Sequence, residues 1–400
     1  MDAITLIEKL PTDLQYLITS YDPSILFILP KFSSGKYDWF KLIKMNFSLI
    51  YDKTTCTNEE IMRVYYDNCN YETKKIIYGN FHTIIILNDG TLMGYGWNLY
   101  GQLGLGDVLD RRDMFTEIKG ISKNISEIVC GFSHTIIRLT NGTLMCSGDN
   151  SYGQLGLGDW QHRKIFEEIK NIPKNIVEVT CGYYDTFIRL TNGTLMACGY
   201  NGHGHLGLGD LEHRNNFQII KPLPKNIVEV RSGHYQTIIR LTDGTLMSSG
   251  LAKKNDANKM IFSEIPGIPK NIAAVTCGLN HTIIRLTDGT LIGSAVFFGG
   301  EGSKFEEIMG ISKNVTEVIC SNRTIIRFLD GRIMANEATY PGNLFSKTFK
   351  ELYGPPKNIT EVISASTHLI IKLTNGTLMK INSQIFSREY GFVDKLEEII

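Results

Sequence analysis

From about residue 76 to the end, short apolar runs alternate with turn residues at a long, regular interval. The phrase His134-Thr-Ile-Ile-Arg-Leu-Thr-Asn-Gly-Thr-Leu-Met145 returns again and again, and its turn glycine stands at Gly90, Gly142, Gly193, Gly244, Gly289, Gly331 and Gly376. The spacings are 52, 51, 51, 45, 42 and 45 residues. A period of ~20–50 residues marks a repeat architecture. Within one unit the apolar runs are Ile128–Gly131, Thr135–Leu139, Thr143–Cys146 and, after a longer loop, Phe166–Ile169. They are too short and too β-branched for helices, and Asn-Gly or Asp-Gly between the second and third predicts a type I′ hairpin. Four antiparallel strands per unit make a propeller blade. The expected fold is therefore all-β, a seven-bladed β-propeller of four-stranded antiparallel blades over residues 71–400, preceded by a small α-helical segment over residues 1–70.

The pattern also predicts register. If Phe132-Ser133 is a two-residue turn, residues whose numbers sum to 265 face each other, and Glu127 meets Arg138. The same pairing gives Glu178 with Arg189, Glu229 with Arg240, Glu317 with Arg327 and Glu361 with Lys372. The first unit has Lys75 and Ile86 instead, and the fifth keeps Arg285 opposite Ala274. Acid and base mostly come and go together, as cross-strand pairs do. Fourth strands are expected to start at Phe115, Phe166, Phe217, Phe262, Phe305, Phe349 and Leu396. The chain would then close its ring by pairing Leu396–Ile399 with the blade begun by Ile76–Gly96, removing both edges.

The first seventy residues lack these turn glycines. Pro11 followed by Leu14, Leu17 and Ile18 predicts a helix with one apolar face. Further helices are expected after Asp22-Pro23, near Tyr37–Phe47, and from Asn58 to about Asn70.

Composition narrows the function. The chain has 400 residues, with 41 basic and 41 acidic side chains and a net charge of zero. That disfavours nucleic acid held by charge alone. No run reaches the ~18 apolar residues of a membrane helix, and no secretion signal opens the chain, so an intracellular location, cytoplasmic or nuclear, is expected. Of eight cysteines, Cys130, Cys181, Cys277 and Cys320 share one repeat position with Ser232. They read as small buried residues rather than disulfide partners.

No catalytic, cofactor-binding or metal constellation emerges. Gly101-x-x-Gly104-x-Gly106 lacks the Lys-Ser/Thr of a phosphate loop and recurs as a turn. His82, His134, His281 and His368 occupy one repeat position, with Asp185, Gln236 and Arg323 elsewhere. This points to hydrogen bonds onto neighbouring backbone in each blade. His203, His205 and His213 lie near each other, but in a loop that suits solvated side chains better than a metal.

The decamer Asn98–Asp107, repeated at Asn150–Asp159 and Asn201–Asp210, together with Cys-Gly-x-x-His-Thr, resembles the regulator of chromosome condensation repeat family. The resemblance covers about residues 76–400 and implies a seven-bladed propeller. It also implies an interaction platform, with guanine-nucleotide exchange on a small GTPase and chromatin binding as alternatives. Separately, Leu10-Pro11-x-x-Leu14-x-x-Leu17-Ile18-x-x-Tyr21-Asp22-Pro23, with Trp39 downstream, resembles an F-box. By that resemblance Leu10, Pro11, Leu14, Leu17 and Ile18 face a Skp-type adaptor of a cullin-type ubiquitin ligase, and the propeller recruits the target. The other reading is a helical cap on the propeller. The chain is expected to bind proteins, not to be an enzyme.

Overall fold

The computed structural model describes residues 10, 12–19, 37–47, 57–58, 61–62, 75–87, 89–251, 257–279, 281–295, 305–321, 324–336, 349–351, 359–364, 368–373, 378–382 and 397–398. Seven four-stranded antiparallel sheets form, each from one consecutive stretch with strands in simple sequential order. They span residues 75–118, 125–168, 176–219, 227–264, 272–307, 315–351 and 359–398, and are called sheets 1 to 7 below. First, second and third strands bury Ile, Val and Leu between neighbouring sheets. One core cluster joins Ile136 and Leu144 of sheet 2 to Ile176, Val179 and Ile188 of sheet 3. Another joins Phe187 and Leu195 of sheet 3 to Ile227, Val230 and Ile239 of sheet 4. Within sheet 1, Ile76 and Ile85 also pack against Tyr78, Leu87, Met93 and Phe115 of the same sheet. Stability comes from stacking neighbours, as in other repeat folds.

The closed seven-bladed ring zipped by its ends has to be corrected. The last strand, Glu397–Glu398, pairs with Leu378–Asn382 of its own sheet, not with the first. Sheet 1 has no vacant place, because Arg111–Ile118 already forms its fourth strand. First strands touch their neighbours at six successive joints, from sheet 1 through to sheet 7. Across the remaining joint, the contact described is one of side chains: Tyr78 of sheet 1 lies against the cluster of Ile319, Ile333, Val362 and Ile371 from sheets 6 and 7.

Strand register follows the sequence pattern closely. In sheet 2, Glu127 lies opposite Arg138 and Cys130 opposite Thr135. The hairpin type differs from expectation. Gly142 N donates to Leu139 O at 2.9 Å, and Leu139 N donates to Thr143 O at 2.9 Å. Gly142 has φ +83°, while Asn141 is not in the left-handed region. The loop is thus a three-residue turn with one left-handed glycine, not a type I′ pair. Asn141 contributes otherwise: its Oδ1 accepts from Thr143 N at 3.0 Å, tying the turn from the side chain.

Outer edges divide the molecule. Sheets 1 to 3 end in fourth strands of eight, six and six residues. Sheets 4 and 5 end in two-residue strands, Ser263–Glu264 and Glu306–Glu307. Exposed glutamates on such short edges discourage pairing with another chain.

In the N-terminal segment α1 (Thr12–Thr19) lies against α2 (Trp39–Phe47). Trp39 and Leu42 are fully buried, and so is Gln15. Tyr37 Oη donates to Gln15 Oε1 at 2.7 Å, and Tyr16 Oη accepts from Asp38 N at 2.8 Å. Asn58 receives Trp39 N at 2.9 Å and donates to Tyr37 O at 2.9 Å. α1 therefore turns Gln15 and Tyr16 inward and leaves Leu14 exposed. The helix expected after Asp22-Pro23 lies outside the described residues.

Candidate functional site

The decamer that follows the third strand is a clasp between sheets. Asn98 is buried; its Oδ1 accepts from Leu103 N at 3.0 Å, and its Nδ2 donates to Asp107 O and Oδ1 at 3.1 Å. Asn150 and Asn201 repeat this pattern onto Leu155 with Asp159 and onto Leu206 with Asp210. The loop then bonds the next sheet. Gly106 N donates to Lys164 O at 2.8 Å, Gly158 N to Asn215 O at 2.7 Å and Gly209 N to Met260 O at 2.9 Å. Glycine is needed because backbone lies on backbone: a Cβ on Gly153 would strike Asn215. Arg111, Arg163 and Arg214 pair with the terminal aspartates Asp107, Asp159 and Asp210. The clasps hold sheets 1 to 4 together and carry their loops on one face.

Beneath that face runs an inner row of histidines, and here the structure corrects the expectation of bonds to backbone. His82 Nε2 meets Thr135 Oγ1 of the next sheet at 2.9 Å, His134 meets Thr186 at 3.1 Å and His281 meets Thr324 at 2.7 Å. Thr135 and Thr186 spend their hydroxyl protons on Gln102 O and Gln154 O, both at 2.7 Å. Each can only accept from the imidazole, so Nε2 carries the proton. Burial lowers the pKa of His82 to about 3 and those of His134 and His281 to about 4. The glycine of Cys-Gly-x-x-His is explained at the same time, since a Cβ on Gly131 would run into the His134 ring.

Sheet 3 breaks the row. Asp185 replaces the histidine, and His205 replaces the glutamine of the clasp at Gln102 and Gln154. Both are fully buried, with His205 Nε2 at ion-pair distance, 3.2 Å, from Asp185 Oδ2.

Above the row, rings from sheets 1 to 4 form one continuous network that the sequence reading did not find. Phe81 stacks on Trp97 at 4.4 Å and meets Phe132 edge-on at 4.8 Å. Phe132 touches Tyr183 and Tyr184, both at 5.2 Å. Tyr152 contacts Tyr184 at 5.3 Å and Tyr200 at 4.9 Å. His234 stacks between Tyr183 at 5.0 Å and Tyr235 at 4.1 Å, and His203 meets Tyr235 at 4.7 Å. These rings come from the last two of the three residues between first and second strands and from the start of each clasp. The available signal was the aromatic character of two adjacent repeat positions, Phe132, Tyr183 and His234 at one and Phe81, Tyr184 and Tyr235 at the next. Burial lowers the pKa values of His203 and His234 to about 4, and raises that of Tyr184 to about 12 with further help from Asp149. At neutral pH these rings are uncharged.

The other residues singled out by sequence lie elsewhere. Arg138 Nε reaches Glu127 at 3.0 Å, Arg189 reaches Glu178 at 2.7 Å, Arg240 reaches Glu229 at 2.7 Å and Arg327 reaches Glu317 at 3.0 Å. Glu361 lies opposite Lys372 in register. The arginines also bond the next sheet: Arg138 donates to Ile176 O at 3.2 Å and Arg189 to Ile227 O at 3.1 Å. Arg285, opposite Ala274, leaves its buried Nε without a hydrogen bond. Turn glycines 90, 142, 193, 244, 289 and 331 all have positive φ. Gly376 and Pro11 fall outside the described residues, as do the side chains of Leu17 and Ile18; Leu10 accepts from Gln15 Nε2 through its carbonyl at 2.9 Å. Among the described residues no group of three His, Cys, Asp or Glu side chains is placed to hold a metal, and no helix is long and apolar enough to cross a membrane.

The stacked four-stranded antiparallel sheets define the class by architecture, that of a β-propeller. The Regulator of chromosome condensation (RCC1) repeat model matches residues 74–102 and 125–154. Ultraviolet-B receptor UVR8 of Arabidopsis thaliana is 32% identical over 169 residues, 41% of this chain and 38% of that protein. A secretion-regulating guanine nucleotide exchange factor of Bos taurus is 31% identical over 174 residues, 42% of this chain and 37% of the relative. The matched stretch thus spans well under half of either relative. Among solved structures, human WBSCR16 superimposes with a TM-score of 0.61 at 17% identity, covering 74% of this chain and 86% of that one. That likeness is one of fold.

Proposed function

We propose that this chain is a protein-interaction platform that holds its partner on the aromatic face of sheets 1 to 4. The observation that carries this reading is the continuous ring network, half-buried, on the face where the clasps fix their loops. Aromatic side chains offer large contact area at low entropic cost, and they dominate protein interfaces. Loops on a rigid scaffold are where binding residues concentrate. The experiment is affinity capture with the full chain and with a Tyr152→Ala/Tyr200→Ala variant, read by mass spectrometry with quantified reference binding. Partners retained by the parent and lost by the folded variant support the reading. Identical partner sets oppose it.

A finer version makes the chain the recruiting subunit of a cullin-type ubiquitin ligase. It is favoured by the exposed Leu14 on α1, one of the five residues that would face a Skp-type adaptor. Removing residues 1–70 should then abolish capture of the adaptor and leave propeller-bound partners in place. A second reading is favoured by the bovine relative: regulation of nucleotide exchange on a small GTPase. It requires accelerated nucleotide release across a GTPase panel when the chain is added.

A further inference from the structure

The charge of the aromatic face identifies what it can hold. Tyr152, Tyr184 and Tyr200 form a mutually touching triad, with centroids 5.3, 4.9 and 6.4 Å apart and planes inclined by 58° to 72°. None of these three, nor Phe132, has a lysine or arginine of this chain over its face among the described residues. His203, His213 and His234 stand around them, all with lowered pKa values. Two buried carboxyl groups lie beneath, each with a histidine close by: His162 Nδ1 is 3.2 Å from Asp149 Oδ1, and His205 Nε2 is 3.2 Å from Asp185 Oδ2. Asp149 is buried; its Oδ1 accepts from Ser151 N at 3.0 Å and Ser151 Oγ at 2.6 Å, and its Oδ2 from Gln154 Nε2 at 2.9 Å. Asp185 is fully buried, and neither carboxylate oxygen has a hydrogen bond. The face therefore combines electron-rich rings with buried carboxyl groups, and among the described residues no lysine or arginine lies over the three tyrosines.

We infer that this face docks an arginine side chain presented by the partner protein. The inference rests on the platform reading above and specifies its partner chemistry. A cation within ~6 Å of a ring centroid is attracted by the ring quadrupole. Geometry chooses the cation. The three tyrosines touch edge to face, so no space between them admits a bulky trimethylammonium. What they present is outward ring surface, on which a planar guanidinium stacks and a compact, strongly hydrated ammonium does not.

The test uses the full chain and a fluorescent peptide, Gly-Ser-Arg-Arg-Arg-Ser-Gly, compared with peptides carrying three citrullines or three lysines. Citrulline keeps the planar shape and removes the charge. The arginine peptide should bind at least about tenfold more tightly than either, a difference of ~1.4 kcal/mol. The Tyr152→Leu/Tyr200→Leu variant should lose that margin, and Tyr152→Phe/Tyr200→Phe should keep it. If the leucine variant fails to fold, the unmodified chain still decides: upfield ring-current shifts of the arginine side-chain protons must appear on binding. Equal binding of the three peptides, a margin that survives in a folded leucine variant, or arginine protons that do not shift would overturn the inference. These results leave the platform reading standing if cluster-dependent partners are still captured. Loss of that capture with arginine binding intact would fail the platform reading instead.

Discussion

At the scale of single residues, two kinds of glycine have to be distinguished. Gly120 has φ +81° with nothing near its absent Cβ, so it answers only to backbone conformation. Gly142 has φ +83°, and a Cβ there would also collide with Lys174 O of the following sheet. Gly120→Ala should cost about 1–2 kcal/mol, the usual penalty of a left-handed non-glycine residue. Gly142→Ala should cost at least about twice that, because the inter-sheet joint must open as well. Urea unfolding of the two variants side by side measures the difference. Sheet 3 offers a sharper test of pairing. Asp185 and His205 occupy positions held by His134 and Gln154 in sheet 2. Asp185→His and His205→Gln should each destabilise, by roughly 2–5 kcal/mol for an unpartnered buried group. Together they restore the sheet 2 pattern and should recover more than half of the summed loss in a double-mutant cycle.

At the scale of elements, joints between sheets carry the titratable groups. The folded chain holds His82, His134 and His281 neutral, with pKa values lowered by burial to about 3, 4 and 4. The unfolded chain protonates them near pH ~6.5. It therefore binds more protons than the folded chain below that pH, and stability must fall as pH drops from ~6.5 towards 4. Each histidine contributes a slope of up to about 1.4 kcal/mol per pH unit in that window. The turn aspartates Asp89 and Asp288 have pKa values lowered to about 2, so their loss comes at lower pH. Unfolding midpoints at pH 7, 6, 5 and 4.5 should decline, and His134→Gln should flatten the decline. A pH-independent midpoint across that range would rule out the neutral histidine row.

For the whole molecule, the issue is how a chain of stacked sheets ends. Six joints are made by neighbouring first strands, and the described contact across the last is Tyr78 against sheets 6 and 7. Among the described residues no strand is shared there to lock it. Tyr78→Ala should lower the cooperativity of unfolding more than a substitution of equal size inside a clasped joint, for example Phe217→Ala. Hydrogen exchange should show sheets 6 and 7 opening before sheets 2 and 3. The clasps explain the asymmetry, for among the described residues they stand in sheets 1 to 3 and bond each to its successor.

Much of this was legible along the chain. The period of the turn glycines defined the units, alternation within each unit defined the strands, and the two-residue turn at Phe132-Ser133 fixed the register that puts Glu127 opposite Arg138. These are short-range properties, decided by a few covalently close residues. What lay beyond the sequence joins units about fifty residues apart. The threonine that receives each histidine, the carbonyl that forbids a Cβ at Gly142, and the closure at Tyr78 each belong to a neighbouring sheet. The aromatic network is the clearest case. Its members stand singly or in pairs in four separate repeats, ordinary in each. Only the stacking of sheets brings Phe81, Phe132, Tyr184 and His234 onto one surface, because burial between neighbours, not local propensity, sets how far each sheet turns from the last.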